Sequence, residues 1–193
     1  MVALSGAILD PMTEVASQYR AVADGFESRL SRVDPDGWSS ASPCQGWTAR
    51  DVAAHVVSTH RHVRAALGDV TFEEIGVDDD LAAEWASATN AINVALSDET
   101  LATKTAGGPF GAQPFDVLVG RLLCADTLIH TWDLARATGQ DDRLDDDAVE
   151  RAMAFLTPID DVIRRPGAFG PKLDPPPGAD AQATLLAFTG RAG

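Results

Sequence analysis

A chain of 193 residues, 45% of them hydrophobic, is long enough to bury a sizeable core, and its length predicts a single domain. Its formal net charge of −14 argues against nucleic acid and against an anionic membrane surface as partners, because both attract basic patches. We find no apolar run near the roughly 18 residues of a membrane span and no secretory signal. The acidic charge, with two cysteines in no zinc or redox spacing, favours a cytoplasmic monomer or homodimer.

The first part of the chain predicts two helices joined by a loop of small residues. The first helix covers about residues 11–33, and the turn-forming residues 34–37 end it. The second helix covers about residues 49–67. We expect Thr48 to be its N-cap, with Asp51 three residues later completing a capping box.

A long acidic connection separates the second helix from the third. Residues 69–80 are long enough to cross the end of a bundle, and their last three acids suit the N-terminus of a helix over about 81–96. Residues 97–114 are predicted to form a loop, because the Gly-Gly-Pro-Phe-Gly sequence at 107–111 cannot continue a helix.

The second half of the chain predicts a long helix from about Phe115 to the glycine at 139, and a fifth helix over about 145–156. Glycines and prolines after residue 158 exclude another long helix, although residues 181–189 can dock on the bundle as a short helix or strand. The fold class predicted is therefore all-α: a four-helix bundle at about 11–157 with one crossover, and a C-terminal extension at about 158–193. The whole of 1–193 is treated as one domain.

Two neighbouring rows of side chains run along the long helix. The first row is apolar and has the spacing of a seam that faces a core: Leu118, Leu122, Ala125, Ile129 and Trp132. The second row starts apolar and then becomes polar: Val119, Leu123, Asp126, His130 and Asp133. Because the polar residues continue an apolar row, we predict that they point into the bundle, where a charge needs a partner or a metal ion.

Two of these polar residues and one histidine of the second helix predict a metal site. Asp126 and His130 are four residues apart and project side by side from one helical face, and His55 lies among apolar residues of the second helix. Two imidazoles and one carboxylate suit zinc, with nickel or iron as alternatives, and leave positions for water or substrate. The metal would lower the pKa of a bound water or thiol. Asp133 is a candidate acceptor for an imidazole N–H next to the metal; pairing with Arg136 and capping of a neighbouring backbone are the alternatives.

Simpler interpretations of the same residues stay open. A histidine among apolar neighbours is more often a hydrogen-bonded core residue than a ligand, and an aspartate four residues before a histidine often bonds to it. His62, two turns after His55, is a weaker candidate ligand, and His60 is predicted to be exposed to solvent. The four tryptophans are predicted to lie in the core and at helix joints, and Cys124 to be a small core residue.

Two motifs and the tail of the chain resemble a known family. Residues 43–55, Pro-Cys-Gln-Gly-Trp-Thr-Ala-Arg-Asp-Val-Ala-Ala-His, resemble the Pro-Cys-x-Gly-Trp-(Thr/Ser)-x-x-(Asp/Glu)-x-x-x-His pattern of the mycothiol-dependent maleylpyruvate isomerase N-terminal domain. That family belongs to the DinB-like superfamily of metal-binding four-helix bundles. Residues 130–139, His-Thr-Trp-Asp-Leu-Ala-Arg-Ala-Thr-Gly, are similar to a signature of an actinobacterial branch of the family, as is the tail at 169–191.

The resemblance implies a DinB-like bundle whose metal ligands fall on His55, Asp126 and His130, with zinc as the usual metal. It also implies mycothiol or a similar small thiol as cosubstrate, activated at the metal, and an electrophilic substrate. The isomerase, however, has Glu in place of Asp126 and a separate C-terminal domain, which residues 157–193 are too few to replace. We therefore expect a thiol S-transferase or isomerase other than the maleylpyruvate enzyme. A non-catalytic module that binds a small ligand or metal is the alternative.

Overall fold

The computed structural model describes residues 11–164 and 169–192, and helices dominate it. In chain order its elements are α1 (Pro11–Leu30), a 3-10 turn (Pro35–Ser39), α2 (Ala49–Ala65), α3 (Leu81–Ser97), α4 (Glu99–Ala102), β1 (Thr105–Ala106), β2 (Gln113–Pro114), α5 (Phe115–Leu118), a π-helical turn (Val119–Leu123), α6 (Cys124–Thr138), α7 (Asp146–Leu156), a second 3-10 turn (Thr157–Ile159), α8 (Asp160–Ile163) and α9 (Ala181–Phe188).

Four long helices form the bundle. Helix α1 packs against α3 and α6, and α2 packs against the same two helices, so α1 and α2 lie at opposite corners. Arg50, early in α2, donates to the backbone oxygen of Asp79 just before α3, while Lys104, beyond α3, donates to the backbone oxygen of Leu67 just after α2. Helices α2 and α3 therefore run parallel, and the connection between them returns along the bundle as the predicted crossover. The all-α prediction is confirmed.

The ends of the helices follow local sequence signals. The Thr48 hydroxyl accepts from the Asp51 backbone N–H, and the Thr48 backbone N–H donates to the Asp51 carboxylate at 2.8 Å. Asp80 caps α3 by accepting from the Ala82 backbone N–H at 3.0 Å. Gly139 ends α6 in the left-handed conformation, with φ of 68°. The predicted capping box, the acidic cap and the glycine stop are thus confirmed.

Two predictions about the middle of the chain are wrong in detail. Residues 97–114 are not a plain loop, since they contain α4, capped by Asp98, and the antiparallel pair β1–β2. The long helix is not regular either, because the π-helical turn separates α5 from α6. Neither feature leaves a strong mark in the hydrophobic pattern: the strands have two residues each, and a π turn adds a single residue to a helical period.

Two apolar clusters fix the position of α6. The first lies among α1, α2 and α3 and includes Phe26, Trp85 and Ile92. The second joins α6 to α7 and α9 and includes Trp132 and Leu185. Each such fully buried side chain stabilises the fold by about 1.5–3 kcal/mol. The docking of 181–189 on the bundle is confirmed, and it docks as a helix. Over residues 11–164 and 169–192, no helix combines the length and apolarity that a membrane crossing requires.

Candidate metal centre

Three side chains converge where α2 packs against α6. His55 comes from α2, and Asp126 and His130 come from successive turns of α6. One ligand-type atom of each residue lies within 4.8 Å of the other two. The Nε2 atoms of His55 and His130 are 3.4 and 3.7 Å from the same carboxylate oxygen, Asp126 Oδ1. The three residues singled out in the sequence are thus brought together by the fold.

The spacing of these atoms is close to that of metal ligands and long for hydrogen bonds, although His55 Nε2 still reaches Asp126 Oδ1 at 3.4 Å. An N–H···O bond usually spans about 2.7–3.2 Å, whereas the ligand atoms of a tetrahedral zinc site, each about 2.0–2.2 Å from the ion, lie about 3.3–3.6 Å apart. In addition, Asp126 Oδ2 is buried and accepts no hydrogen bond from the described part of the chain. A buried carboxylate oxygen without a partner is costly, and a divalent cation would satisfy it. The residues present therefore fit a metal ion.

The electrostatics of the site keep the carboxylate ionised. Burial opposes the charge of Asp126, but the neighbouring His130 and His55 overcome this effect and lower the pKa of the carboxyl group. Burial also opposes protonation of His55, but the hydrogen bond and charge of Asp126 prevail and raise its pKa. Protons and a metal ion would compete for the same imidazole nitrogens, so metal binding at this site must weaken at acidic pH.

The site opens to solvent on the side of His55. The His55 side chain is 35% exposed, whereas that of His130 is 10% exposed. Trp47 covers part of the site, with its ring centroid 5.0 Å from that of His55 and 6.0 Å from that of His130. Trp47 also packs on the core, as predicted, but its contact with both imidazoles was not foreseen. A molecule in solution can therefore reach the site at the exposed side chain of His55.

Behind His130 lies a second polar group built on Asp133. The buried Asp133 Oδ2 accepts hydrogen bonds from His130 Nδ1 at 2.8 Å, from Arg191 Nη2 at 2.6 Å and from Cys44 Sγ at 3.2 Å. Burial opposes the charge of Asp133, but the bonds from His130 and Arg191 hold the pKa of this carboxyl far below its usual range. Burial and the charge of Asp133 raise the pKa of the Cys44 thiol to about 12.

Cys44, His130 and Asp133 also have atoms close enough to share a metal ion. However, the Arg191 guanidinium already lies against this group, with Nη2 3.5 Å from Cys44 Sγ and bonded to Asp133. A metal ion there would face the guanidinium charge. Within the described residues no arginine or lysine pairs with Asp126, so the group formed by His55, Asp126 and His130 is the better place for a metal ion.

The other two histidines lie apart from the site. The prediction that His60 is exposed is wrong: it is fully buried, and its ring lies 4.7 Å from that of Trp85 and 5.8 Å from that of Tyr19. It continues the buried row of Val52 and Val56 along α2, and burial lowers its pKa to about 4. His62 is exposed, packs on Phe72 and bonds to the Ser58 carbonyl at 2.7 Å, so the structure gives it no place among the ligands.

Three residues around the candidate ligands were missed in the sequence: Cys44, Trp47 and Arg191. Cys44 and Trp47 stand in the motif at 43–55, and Arg191 stands in the tail, so the motifs contained the signal. Their roles were not evident because loop and tail residues have no periodicity from which a direction can be read.

Comparison with known proteins links this geometry to a family. Residues 19–135 match the family described as "Mycothiol maleylpyruvate isomerase N-terminal domain", a range that includes His55, Asp126, His130 and Asp133 but not Arg191. Two Mycobacterium tuberculosis proteins, "Uncharacterized protein MT0763" from strain CDC 1551 / Oshkosh and "Uncharacterized protein Rv0738" from strain ATCC 25618 / H37Rv, are each 31% identical to the chain over 175 residues. The match covers 90% of this chain and 95% of each relative. No solved structure gives a significant match.

Proposed function

The chain belongs to the mycothiol maleylpyruvate isomerase N-terminal domain family, and on that premise we propose that it binds a divalent metal ion, zinc first, and uses it to activate a small thiol. The thiol, mycothiol or a close analogue, would attack an electrophilic substrate in an S-transfer or isomerisation reaction. The observation that carries the proposal is the convergence of His55, Asp126 and His130 around a buried carboxylate oxygen without a partner in the described residues.

Each residue of the site has a part in this proposal. A divalent ion bound there would lower the pKa of a coordinated thiol, so that the thiolate is available at neutral pH. His55, Asp126 and His130 hold the ion and leave coordination positions free. Asp133 accepts the Nδ1–H of His130, which leaves Nε2 as the ligand atom. Trp47 shields one side of the two imidazoles from water and leaves the side of His55 open for the thiol.

The thiols of the chain support an external cosubstrate. Burial raises the pKa of both Cys44 and Cys124 to about 12, so neither supplies a thiolate at neutral pH. The proposal therefore takes its thiol nucleophile from solution. We propose further that the protein acts in the cytoplasm, as a monomer or a homodimer.

Metal content and thiol binding test the proposal. Protein purified without an affinity tag should contain about one zinc or other first-row ion per chain, and mycothiol titrated into it should bind only in the metal-loaded form. The double substitution His55→Ala and His130→Ala should abolish both. Stoichiometric metal in the double variant would disprove the site. Binding of metal and mycothiol without turnover of any electrophile in a panel would instead support the alternative, a non-catalytic binding module.

A further inference from the structure

An arginine from the C-terminal tail reaches the candidate site. Arg191 donates from Nε to Asp133 Oδ1 at 2.8 Å and from Nη2 to Asp133 Oδ2 at 2.6 Å. This two-point contact fixes the plane of the carboxylate, which a single bond does not. The Asp133 side chain is fully buried and that of Arg191 is 9% exposed. A buried charge pair of this kind leaves an uncompensated charge if either partner is removed.

The backbone of the tail is shaped to place this arginine. Gly190 has φ of +80°, a conformation that turns the chain back after α9, and a Cβ at this position would lie 2.8 Å from the Pro171 carbonyl oxygen. The Arg191 backbone N–H then donates to the Leu186 carbonyl at 2.8 Å. Leu185 and Leu186 are buried in the cluster that includes α6 and α7. The guanidinium is therefore held from the backbone as well as by Asp133.

Asp133 passes this constraint to a candidate ligand. Its Oδ2 lies 2.8 Å from His130 Nδ1 and 2.6 Å from Arg191 Nη2. Because an ionised carboxylate only accepts hydrogen bonds, His130 must carry its proton on Nδ1. The lone pair of a neutral His130 is then on Nε2, the atom that faces Asp126 at 3.7 Å. A change in the plane of the Asp133 carboxylate would free the imidazole to rotate or to change tautomer.

We propose that Arg191 is a positioning residue of the site: by clamping Asp133, it holds His130 in the Nδ1–H tautomer with Nε2 directed at Asp126 and His55. Its effect on metal affinity rests on the proposed function, whereas its effect on the His130 ring does not. The C-terminal tail is then part of the site, although the ligands themselves lie in α2 and α6.

The test compares Arg191→Gln with Arg191→Lys and with a matched control in the same extension. Arg164 donates to the carbonyls of Gly170 and Phe188, both at 2.6 Å, and to Asp160, so Arg164→Gln loosens the extension without touching Asp133. Long-range nitrogen–proton NMR of the full chain, without metal, reports the tautomer of each of its four histidines. His130 should be the Nδ1–H tautomer in the wild type and in Arg164→Gln, and a tautomer mixture in Arg191→Gln.

Zinc titration supplies the second measurement. Loss of a group that orients a ligand typically lowers metal affinity by about 10–100-fold, and we expect a loss in this range for Arg191→Gln, a smaller loss for Arg191→Lys and none for Arg164→Gln. An unchanged His130 tautomer in Arg191→Gln would overturn the inference, as would equal losses in the two glutamine variants. If Arg191→Gln does not fold, Arg191→Lys decides, because it keeps the charge and loses the two-point contact. A wild type that binds no metal would refute the proposed function, and the NMR comparison would still decide the role of Arg191.

Discussion

Two histidines of α2 offer a matched test of the metal site. His55 faces Asp126, whereas His62, two turns along the same helix, bonds to the Ser58 carbonyl and packs on Phe72. His62 is exposed, so His62→Ala should change the stability of the metal-free protein by about 1 kcal/mol or less. His55→Ala also removes an imidazole that supports the Asp126 carboxylate, and the measurement with chelator gives that cost separately. Only His55→Ala should change the response to zinc.

The size of that response follows from linkage between binding and folding. Free zinc at 100 times its Kd should stabilise the wild type by about 2.7 kcal/mol, which raises Tm by about 5–11 °C for a chain of this length. Loss of a residue that only supports a ligand weakens metal binding by up to about 100-fold. Loss of one of the three ligands themselves should weaken zinc binding by at least that factor. At the same zinc concentration the stabilisation of His55→Ala should fall to about 0.4 kcal/mol, or about 1–2 °C.

Differential scanning calorimetry of the wild type and both variants, each with chelator and with buffered free zinc, measures these shifts. His62→Ala should retain the full wild-type shift. Equal zinc-induced shifts in His55→Ala and in the wild type would refute the assignment of His55. A loss in His62→Ala as large as that in His55→Ala would show that the effect is a general one on α2 and not the loss of a ligand.

Three further predictions concern groups outside the ligand set. Burial lowers the pKa of His60 in the folded protein to about 4, whereas the pKa in the unfolded chain is about 6.5. Between these two pH values the unfolded state binds more protons than the folded state. The free energy of unfolding should therefore fall by about 3 kcal/mol as the pH drops from 7 towards 4. The urea midpoint of unfolding should drop between pH 7 and pH 4.5 in the wild type and should drop less in His60→Gln. Equal drops in the two proteins would contradict this account of His60. Thr48→Ala removes half of the capping box with Asp51 and should lower Tm by about 2–4 °C, for a cost of about 1 kcal/mol; calorimetry showing no change would argue against the cap. The pKa of Cys44 and that of Cys124 are both raised to about 12. At pH 8 the two thiols should therefore react with iodoacetamide about 1,000-fold more slowly in the folded than in the unfolded protein. Equal rates measured by mass spectrometry would refute the raised pKa of the two thiols.

The sequence carried enough information to predict the helical framework and the residues that converge at the site. Asp126, His130 and Asp133 continue the row of Val119 and Leu123. Polar residues on a row that faces the core indicate a polar site, and this pattern can be recognised within a single helix. Periodicity alone does not show that α2 packs on α6; His55 stands out by its apolar neighbours, and the family resemblance implies the same three ligands.

What the sequence did not reveal depends on contacts between distant segments. An inner face of α2 that includes His55 predicts an exposed His60. The buried row instead passes through Val52, Val56 and His60, and His55 lies at its edge. Arg191 reaches Asp133 across 58 residues of chain, through a turn at Gly190 whose direction is set by packing of α9 on α7. Neither result could be derived from local spacing.

The π-helical turn at Val119–Leu123 sets the angular phase between the two halves of the long helix. Upstream of it, Phe115 and Leu118 are anchored in the core, and downstream of it Asp126 and His130 face α2. The turn takes up its extra residue by wider winding, so deletion of one residue within it would restore a regular α-helix and leave the Asp126 and His130 face directed at α2. Deletion of one residue between this turn and Asp126, where the helix is regular, would instead rotate that face by about 100° away from α2, so a chain shortened there that still folds would lose the meeting point of its two helices.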